Sequence, residues 1–305
     1  MDAGSMSAAG QSAQMRRRVG LTAPAILFIA ILMGGPMLIM VFVSLVERAP
    51  DGGVVWGRFT TLAYQQFFVE ENLLGEKSFN TDYLQIYLRS AFLAGITVVA
   101  TFAIGFPTAM YVAMQEPRKR ALLIFFLSLP FWVNLLVRNY AWLLLLRANG
   151  LLDQVVMGLN LSSEPLNILY TQTAIFIGLT YSFLPLMVLP IYAAMEKFDF
   201  SLVEAGFDLG ATRLQTLVHV IIPGVKGGII AGCLLVFIPG LGSYVTPVLL
   251  GGSKSLMIGN LIEAQFAAAR NWPFGAALAF ILLMMVVLTA VLRALLLRKR
   301  RRVNT

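Results

Sequence analysis

Few residues in this sequence have side chains suited to catalysis or metal binding. Among 305 residues, His219 is the single histidine and Cys233 the single cysteine. One cysteine cannot form an intrachain disulfide, and one histidine cannot build a metal site alone. The stretch from Gly251 to Ser255 superficially resembles a phosphate loop but lacks the G-x-x-x-x-G-K-[ST] spacing. These residues argue against an enzyme; we expect His219 to face a membrane interface and Cys233 to pack inside a helix bundle.

The composition is that of an integral membrane protein. Hydrophobic residues make up 58% and charged residues 12% of the chain, whereas a soluble domain carries about 25% charged residues. The mean hydropathy is +0.80. The net charge of +8 comes from short basic clusters between apolar runs, a pattern typical of membrane orientation signals and not of nucleic-acid binding.

Six apolar runs are long enough to cross a bilayer, since a membrane helix needs about 20 residues. We predict an all-α fold with spans at residues 21–46, 88–114, 121–146, 171–195, 227–250 and 274–297. A cleaved signal peptide is the alternative for the first run, but this run is longer than a signal peptide's apolar core and no small-residue cleavage site follows it. We therefore expect one transmembrane domain, 21–297, between a leader, 1–20, and a basic tail, 298–305.

Basic residues are distributed unevenly between the connections. The leader, the second and fourth connections and the tail hold fourteen Lys or Arg and six Asp or Glu, whereas the other three connections are acidic on balance. Because positive charge is retained on the cytoplasmic side, we expect both termini in the cytoplasm, a first outer loop at 47–87 and a long inner loop at 196–226. The basic tail is expected to contact anionic lipid.

The inner loop is predicted to form two short helices joined at a glycine. Two residue pairs have the spacing of a capping box: Ser201 with Glu204, and Thr212 with Gln215. Gly210 can adopt the left-handed conformation that ends a helix, and Pro223 interrupts the second helix. On pattern alone, an amphipathic helix in the membrane interface and a docking element for a partner are about equally good interpretations.

One motif decides between these interpretations. The loop resembles the EAA loop of ABC importer permeases, through Glu204-Ala205-Gly206, then Gly210 after three residues, then Val220-Ile221-Ile222-Pro223 after nine residues. It departs at Gly206, where the family has a second Ala, and at Val220 and Ile222, which replace Ile and Leu. All three replacements are small or apolar. The resemblance implies the type I ABC importer permease (MetI-like) fold.

The resemblance also implies that this loop couples the chain to a separate ATPase. The implied coupling residues are Ser201, Glu204, Ala205, Gly206, Asp208, Gly210 and Pro223. The implied partners in a bacterial inner membrane are a homologous second permease subunit, two ATP-binding subunits and a periplasmic substrate-binding protein. We expect no cofactor in this chain, because ATP and Mg would be bound by the ATPase subunits, and no nucleic-acid partner.

A second resemblance indicates the cargo. The stretch from Phe131 to Gly275, about half the chain, is similar to the permease subunits of bacterial polyamine importers for putrescine and spermidine. The residues that carry this likeness are Pro130-Phe131-Trp132, Asn134, Arg138-Asn139-Tyr140, Trp142, Leu184-Pro185, Pro190, Tyr192, 201–205, 226–232, 237–239, 249–252, 257–259 and Asn271-Trp272-Pro273. The resemblance implies a path for flexible polycations.

Candidate side chains for such a path are those that attract cations through carboxylates, carbonyls or aromatic faces. They are Trp132, Asn134, Tyr140, Tyr244 and Glu263. Packing or an interfacial aromatic belt explains the aromatic residues at least as well. Arg138 would repel a polycation, so we expect it to snorkel or to pair with a carboxylate. An anionic cargo would reverse this argument.

The fifth predicted span carries the densest set of helix breakers. Four of them, Pro239, Gly240, Gly242 and Pro247, fall within nine residues around Tyr244. Each proline removes a helix hydrogen bond that neighbours must replace. We predict that this half-broken helix lines the path and moves during transport.

Two rival classes fit the sequence less well. An ion-coupled secondary transporter usually places ionisable residues at the membrane centre, yet no Asp or Glu falls inside a predicted span. An intramembrane enzyme needs a catalytic constellation that one His and one Cys cannot supply. We predict a transport subunit that forms, with a second permease, a path for polyamines by alternating access. Another small solute, anionic or amino-acid-like, is the alternative cargo.

Overall fold

The computed structural model describes residues 3–71, 77–162, 164–252 and 255–303. Helices dominate the fold, as the apolar composition predicts. They are α1 (Ala3–Ser44), α2 (Leu62–Gln65), α3 (Asp82–Ala113), α4 (Pro117–Trp132), α5 (Leu135–Leu146), α6 (Leu151–Gly158), α7 (Gln172–Glu196), α8 (Ser201–Asp208), α9 (Arg213–Thr216), α10 (Ile222–Gly224), α11 (Lys226–Leu241), α12 (Ile258–Ala267) and α13 (Trp272–Val303). Leu217–Ile221 and Pro247–Gly251 are π-helical turns.

Two short antiparallel hairpins lie in the region predicted as the first outer loop. Strand β1 (Val46–Arg48) pairs with β2 (Val54–Phe59), and β3 (Val69–Glu71) pairs with β4 (Lys77–Phe79). The all-α prediction did not include these strands. In the first hairpin, the turn contains Gly52 and Gly53 with φ of 93° and 88°, a conformation that glycine adopts without a Cβ clash.

The chain forms two compact units, Met1–Phe79 with Gln265–Thr305, and Asn80–Ala264. In the first unit, α1 lies along α13. The Ser44 and Tyr64 hydroxyls share a hydrogen bond of 2.7 Å. The Arg48 guanidinium donates to the carbonyl of Ala269 at 2.9 Å. The first bond joins the end of α1 to α2, and the second joins the first hairpin to the segment before α13.

The core of the second unit lies between α3, α7 and α11. Its buried side chains include Phe106 of α3, Met187 and Ile191 of α7, and Val236 of α11. Because lipid tails are as apolar as these side chains, their close van der Waals packing, and not removal from water, stabilises the helix contacts within a bilayer. The three helices therefore form the scaffold on which the inner loop rests.

Glycines allow these helices to pack closely. A Cβ added at Gly228 would lie 2.5 Å from the carbonyl oxygen of Pro190, and one at Gly232 would lie 3.1 Å from the carbonyl oxygen of Met187. The Gly228-x-x-x-Gly232 spacing is the small-xxx-small pattern through which membrane helices approach one another. The first two turns of α11 are consequently packed directly on the backbone of α7.

Among the described residues, three helices are long and apolar enough to cross a bilayer: Thr22–Ser44 within α1, α3 and α7. Two bent pairs, Pro117–Trp132 with Leu135–Gly158 and Arg213–Gly224 with Lys226–Leu241, raise this to five if each pair is one span. A further apolar helical segment is Trp272–Leu288 within α13. These helices overlap the six predicted runs, while the span count and the sidedness stay predictions.

The third predicted span, 121–146, is not a continuous helix. Its two halves are bent by 90° between Trp132 and Leu135. The Asn134 side chain accepts a hydrogen bond from the Leu136 N–H at 2.8 Å and caps the start of α5. Pro130 lies inside α4 without ending it, so the capping asparagine, and not the proline, marks the break.

Candidate functional site

The inner loop forms two short helices, α8 and α9, as predicted. The start of α8 differs from the prediction, because Ser201 is its first residue and no Ser201–Glu204 capping box is present. Instead, the Asp199 carboxylate accepts a hydrogen bond from the Ser201 backbone N–H at 3.0 Å. Hydrogen bonds from the Ser201 hydroxyl and backbone N–H hold the pKa of Asp199 below its usual range. Asp199 therefore caps α8 as a carboxylate.

The end of α8 lies at Gly210, as its sequence predicts. Gly210 has a φ of 82°. Its N–H donates to the carbonyl of Phe207 at 2.9 Å, and the Ala211 N–H donates to the carbonyl of Gly206 at 3.0 Å. This pair of bonds is the Schellman motif, which satisfies the last carbonyls of a helix. The turn between the two loop helices is thus well defined.

The second predicted capping box is present. The Thr212 hydroxyl accepts from the Gln215 N–H, and the Gln215 side chain accepts from the Thr212 N–H at 2.8 Å. The chain continues through a π-helical turn and α10, which contains Pro223. It then bends by 73° at Val225 before α11 begins. The second loop helix therefore ends at Gly224, one residue after the proline, and not at the proline itself.

One face of the loop rests on the protein core. Val203, Leu217 and Ile222 pack against the cluster of buried residues between α3, α7 and α11. Other apolar side chains of the loop are exposed, and we name them the docking face: Leu202, Phe207, Leu209, Leu214 and Val218. Leu209 is 89% exposed, and Glu204, Ala205 and Asp208 are exposed beside it. Large exposed apolar side chains on one short loop are typical of a protein contact surface.

Gly206 brings α8 against the buried residue Thr216 at the end of α9. A Cβ added at Gly206 would lie 3.5 Å from the Thr216 Oγ1 and 3.7 Å from its Cγ2, which is ordinary van der Waals contact. Alanine therefore fits at this position without displacing its neighbours. The space at this position therefore accommodates either residue, the glycine found here or the alanine of the EAA pattern.

Arg120 links the turn between α3 and α4 to the start of the inner loop. Its guanidinium donates to the carbonyls of Ala113 at 2.9 Å and Gln115 at 3.3 Å. It also lies 3.4 Å from the Glu196 carboxylate, which accepts from the Tyr192 hydroxyl at 3.0 Å. Because the ion pair is partly exposed, it contributes about 1 kcal/mol or less. Sequence reasoning treated Arg120 only as an orientation charge and missed this link.

The fifth predicted span is broken within its run of helix breakers. α11 passes through Pro239 and the buried Gly240, and it ends before Gly242. Residues 242–244 are not helical, and Pro247 starts the second π-helical turn. Tyr244 lies in this break and is exposed. The structure thus interrupts the helix at its glycine and not at Pro239, while the prediction that this segment lines the path and moves stays a prediction.

The start of α12 lies directly against this break. The Asn260 amide donates to the Tyr244 carbonyl at 2.9 Å, and its oxygen accepts from the Met257 N–H at 3.1 Å. A Cβ added at Gly259 would lie 2.6 Å from the carbonyl oxygens of both residues 242 and 243. Neither Gly259 nor Asn260 was predicted as a site residue. They determine how α12 packs on the break.

The path candidates Trp132, Asn134 and Tyr140 lie at or near the bend between α4 and α5. Trp132 ends α4 and is 80% exposed, and Tyr140 is exposed on α5. Asn134 is the helix cap described above, so its oxygen already accepts a backbone hydrogen bond. The two aromatic rings lie where lipid or a partner subunit can cover them.

Arg138 and Asn139 are held by backbone carbonyls close to this bend. Arg138 donates to the Pro130 carbonyl at 3.0 Å. Asn139 is 1% exposed, and its amide donates to the Leu135 carbonyl at 2.8 Å. Its oxygen has no hydrogen-bond partner among the described residues. Sequence reasoning noted Asn139 only as part of a family motif and assigned it no role.

The two broken spans meet at Gly178 of α7. A Cβ added there would lie 2.5 Å from Leu250 Cδ1, 2.8 Å from Thr246 Cγ2 and 3.8 Å from Asn139 Oδ1. The missing side chain allows α5 and the turn after the fifth-span break to pack on the same point. A movement at either break therefore changes the contacts at Gly178.

The last path candidate, Glu263, is exposed on α12 one turn after Asn260.

His219 is exposed, and its ring nitrogen bonds to the Gln215 carbonyl at 3.0 Å. Cys233 packs against the core cluster from α11, as predicted. Within the described residues, no group of three or more His, Cys, Asp or Glu side chains could hold a metal ion.

Sequence comparison identifies relatives among transport proteins. Residues 105–303 match the family described as binding-protein-dependent transport system inner membrane component. The spermidine/putrescine transport system permease protein PotB of Haemophilus influenzae is 42% identical over 210 residues, covering 69% of this chain and 73% of that protein. PotB of Escherichia coli is 44% identical over 195 residues, covering 64% and 71%.

Solved structures share the fold at low identity. A chain of a bacterial ABC transporter that imports the acidic polysaccharide alginate has a TM-score of 0.66 and 15% identity, covering 95% of this chain and 99% of that chain. A chain of the alginate transporter in complex with a pentasaccharide-bound periplasmic protein has a TM-score of 0.65 and 14% identity, covering 93% and 94%. The fold is therefore the mostly helical one of ABC transporter membrane subunits.

The family match includes the inner loop and both broken spans. It shows that the chain belongs to the family of binding-protein-dependent transport system inner membrane components.

Proposed function

We propose that this chain is the transmembrane subunit of an ATP-driven ABC importer for polyamines such as putrescine and spermidine. The observation that carries the proposal is the identity of 42% and 44% to two PotB permeases over most of their length. The folded inner loop with its exposed docking face supports the coupling to a separate ATPase. The subunit transports and does not itself hydrolyse ATP.

The proposed partners supply functions for which this sequence has no residues. It contains no G-x-x-x-x-G-K-[ST] motif, so two ATP-binding subunits bind ATP and Mg. A homologous second permease subunit completes the translocation path. A periplasmic substrate-binding protein delivers the cargo, and a solved relative with a bound periplasmic protein supports this assembly. The complex resides in a bacterial inner membrane.

The docking face is the proposed contact with the ATP-binding subunit. The coupling element comprises Ser201, Glu204, Ala205, Gly206, Asp208, Gly210 and Pro223. Leu209 enters an apolar recess of the partner, while Glu204 and Asp208 meet basic groups around it. Because Val203 and Leu217 pack on the core, a displacement of the loop is passed to the helix bundle.

The fifth-span break is the proposed gate. Closure of the ATP-binding subunits displaces the loop, and α11 follows because the bend at Val225 joins it to the loop. Pro239, Gly240, Gly242 and Pro247 form the gate segment, and residues 242–244 absorb the rotation. Alternating access results when this segment and its contact at Gly178 change conformation together.

The proposed path for the cargo is lined by Trp132, Asn134, Tyr140, Tyr244 and Glu263. Exposed aromatic faces attract ammonium groups by about 0.5–1 kcal/mol each, and by more when water is excluded. Asn134 contributes by capping α5 next to Trp132. Arg138 is engaged with the Pro130 carbonyl, a structural role that leaves little reason to assign an anionic cargo.

The proposed topology has six spans with both termini in the cytoplasm. Residues 1–20 form the leader, 21–297 the permease domain and 298–305 the basic tail. Residues 47–87 form the first periplasmic loop and 196–226 the cytoplasmic coupling loop. Cysteine-accessibility labelling from each side of the membrane tests this arrangement.

ATP hydrolysis by the purified complex in lipid discs, with its binding protein, tests the function. Putrescine, spermidine, amino acids and an anionic oligosaccharide are compared as stimulants. Stimulation by a polyamine is the expected result. Stimulation by the anion alone would overturn the cargo and make Arg138 the first residue to replace. Hydrolysis that no solute stimulates would overturn the proposed coupling.

A matched pair of leucine variants tests the docking face directly. Leu209→Ser should remove most of the ATP-binding subunit from the purified permease, because an apolar contact is lost. Leu161→Ser replaces a leucine that is 74% exposed elsewhere and should have no effect. Equal retention of the partner by both variants would exclude Leu209 from the contact.

A further inference from the structure

The first hairpin contains a three-residue bulge. Val46 of β1 pairs with Phe59 of β2, but the next β1 residue, Glu47, pairs with Val55. Residues 56–58 are therefore extra on β2. Gly57, in the middle of the bulge, has a φ of 90°, which glycine adopts without strain. Such bulges interrupt the alternation of side chains along a strand and redirect individual residues.

The bulge brings two aromatic side chains onto one ring of α1. Trp56 stacks on Phe42 at a centroid distance of 6.1 Å, and Phe59 meets the same ring edge-on at 5.4 Å. We name Phe42, Trp56 and Phe59 the aromatic patch. Trp56 is 69% and Phe59 66% exposed. Two large rings that both contact Phe42 and are open on their outer side form, with it, an exposed apolar surface.

The position of Phe42 indicates what covers this surface. Phe42 lies two residues before the end of the apolar stretch Thr22–Ser44, which is long enough to cross a bilayer and is not buried by the rest of the chain. A helix rises 1.5 Å per residue, so Phe42 lies about 3 Å from the end of that stretch. Trp56 and Phe59 touch its ring and therefore lie at nearly the same depth. This is the depth at which tryptophan is enriched in membrane proteins, the boundary of acyl chains and head groups.

The charged residues of the hairpin match such a position. Arg58 lies in the bulge between the two aromatic residues, and its exposed guanidinium is 3.6 Å from Glu47. A guanidinium at this depth can also reach a lipid phosphate. Asp51 lies exposed in the turn at the other end of the hairpin, away from the aromatic residues. The end of the hairpin next to α1 thus combines aromatic rings with an exposed Arg58–Glu47 pair, the mixture that suits the head-group level, and Asp51 lies at the tip.

We propose that the aromatic patch binds the phospholipid interface and seats the β1–β2 hairpin in one surface of the bilayer. The hairpin then fixes the depth of α1 in the bilayer, because Trp56 and Phe59 lie among the glycerol groups and upper acyl carbons. This role depends neither on the cargo nor on the coupling loop. It assigns a ligand class, glycerophospholipid, to a connection for which the sequence predicted only the side of the membrane.

Spin-label accessibility in the assembled complex tests the proposal. The complex is reconstituted in discs of phosphatidylcholine and phosphatidylglycerol, with Cys233→Ser removing the native thiol. Nitroxides are attached at Trp56→Cys, at Asp51→Cys on the hairpin tip and at Phe28→Cys within the apolar stretch. The label at position 56 should collide with oxygen more than with a water-soluble nickel complex, as at position 28. The label at position 51 should show the opposite preference.

Two results would overturn the lipid assignment. Equal nickel accessibility at positions 56 and 51 would place the patch in water. Protection of position 56 from both probes would mean that a protein partner covers it. A measurement without labels gives a second readout: the fluorescence difference between wild type and Trp56→Phe isolates Trp56. This difference should be quenched by lipids brominated high on their acyl chains and little by aqueous acrylamide, and the reverse order would also reject the proposal.

Discussion

The side-chain amide of Asn260 donates a hydrogen bond to the main-chain carbonyl of Tyr244 at 2.9 Å. This bond joins the start of α12 to the non-helical segment of the fifth span. Asn260 is 4% exposed, and its oxygen accepts from the Met257 N–H. Loss of either bond leaves a buried polar group unpaired, at about 1–3 kcal/mol. The break in α11 is therefore held by a specific side chain and is not a loose linker.

Replacement of this side chain should weaken the coupling between ATP hydrolysis and transport. In Asn260→Asp, the carboxylate keeps an acceptor for Met257 but cannot donate to Tyr244. We expect basal hydrolysis to rise and polyamine uptake to fall several-fold in lipid discs. Asn160→Asp, the same replacement at an exposed asparagine outside the proposed gate and path, is the matched control and should change uptake less. Wild-type uptake and hydrolysis in Asn260→Asp would remove this contact from the gate.

A methyl group at Gly178 should disturb both broken spans. Gly178→Ala places a Cβ within 3 Å of Leu250 and Thr246, and overpacking of this kind costs about 1–3 kcal/mol. The thermal midpoint and the uptake rate should both fall. Leu250→Ala in the same chain should restore part of the loss, because it removes the nearest atom. Gly227→Ala, where no atom lies within 4 Å, is the control, and an unchanged midpoint in Gly178→Ala would contradict the packing described here.

Two glycines of the coupling loop should respond to alanine in opposite directions. Gly206→Ala fits against Thr216 and removes a glycine from α8, which should stabilise the helix by about 0.5–1 kcal/mol. Gly210→Ala forces a Cβ into the left-handed conformation and should cost about 1–2 kcal/mol. The fraction of ATP-binding subunit retained during purification should rise slightly or hold for the first and fall for the second. Equal losses for both would show that the loop conformation in the complex differs from this one.

The capping of α8 by Asp199 has a defined pH dependence. Its pKa is lower in the folded state than the unfolded value of about 4. The Asp199 carboxylate therefore stabilises the folded loop fully at pH values above its unfolded pKa. This stabilisation is lost as the pH falls through the folded pKa. Binding of the ATP-binding subunit should not depend on this group between about pH 5 and about pH 8.

Variants of Asp199 separate its charge from its hydrogen bond. Asp199→Asn should bind the partner as wild type does across this range, because asparagine caps equally well. Asp199→Ala should bind more weakly throughout, because the Ser201 N–H loses its acceptor. Binding is measured by co-sedimentation. A loss of wild-type binding above pH 5 that is absent in Asp199→Asn would assign Asp199 a role other than capping.

Local sequence signals predicted those features that depend on a few neighbouring residues. Gly210 ends α8, Thr212 and Gln215 form a capping box, and the glycines and prolines between residues 239 and 247 interrupt the fifth span. Each of these depends on backbone conformation or on hydrogen bonds within four residues. Such constraints are the same in lipid, in water and in a protein core.

Features that depend on three-dimensional packing were not predictable in this way. Two side chains compete to cap α8, and Asp199 does so because the chain turns at Phe200. The 90° bend in the third span follows from the cap at Asn134, whereas the helix tolerates Pro130. The roles of Gly178 and Asn260 depend on contacts with residues far away in sequence. The periodicity of apolar residues does not show which helices contact one another. Gly178 and Asn260 were therefore not predicted as site residues from the sequence.

The backbone contact between α7 and α11 has a mechanical consequence. At Gly228 and Gly232 the helices pack closely: an added Cβ would lie 2.5 Å from the Pro190 carbonyl oxygen and 2.6 Å from Ala194 Cβ at the first, and 2.9 Å from Met187 Sδ and 3.1 Å from the Met187 carbonyl oxygen at the second. We expect conformational change to occur mainly at the two ends of α11. These ends are the 73° bend at Val225 and the non-helical residues 242–244. The helix between these two points then moves as one rigid segment. In the proposed coupling, a rotation applied at the Val225 bend would be taken up at residues 242–244, so the coupling loop and the break would act as two ends of a single lever.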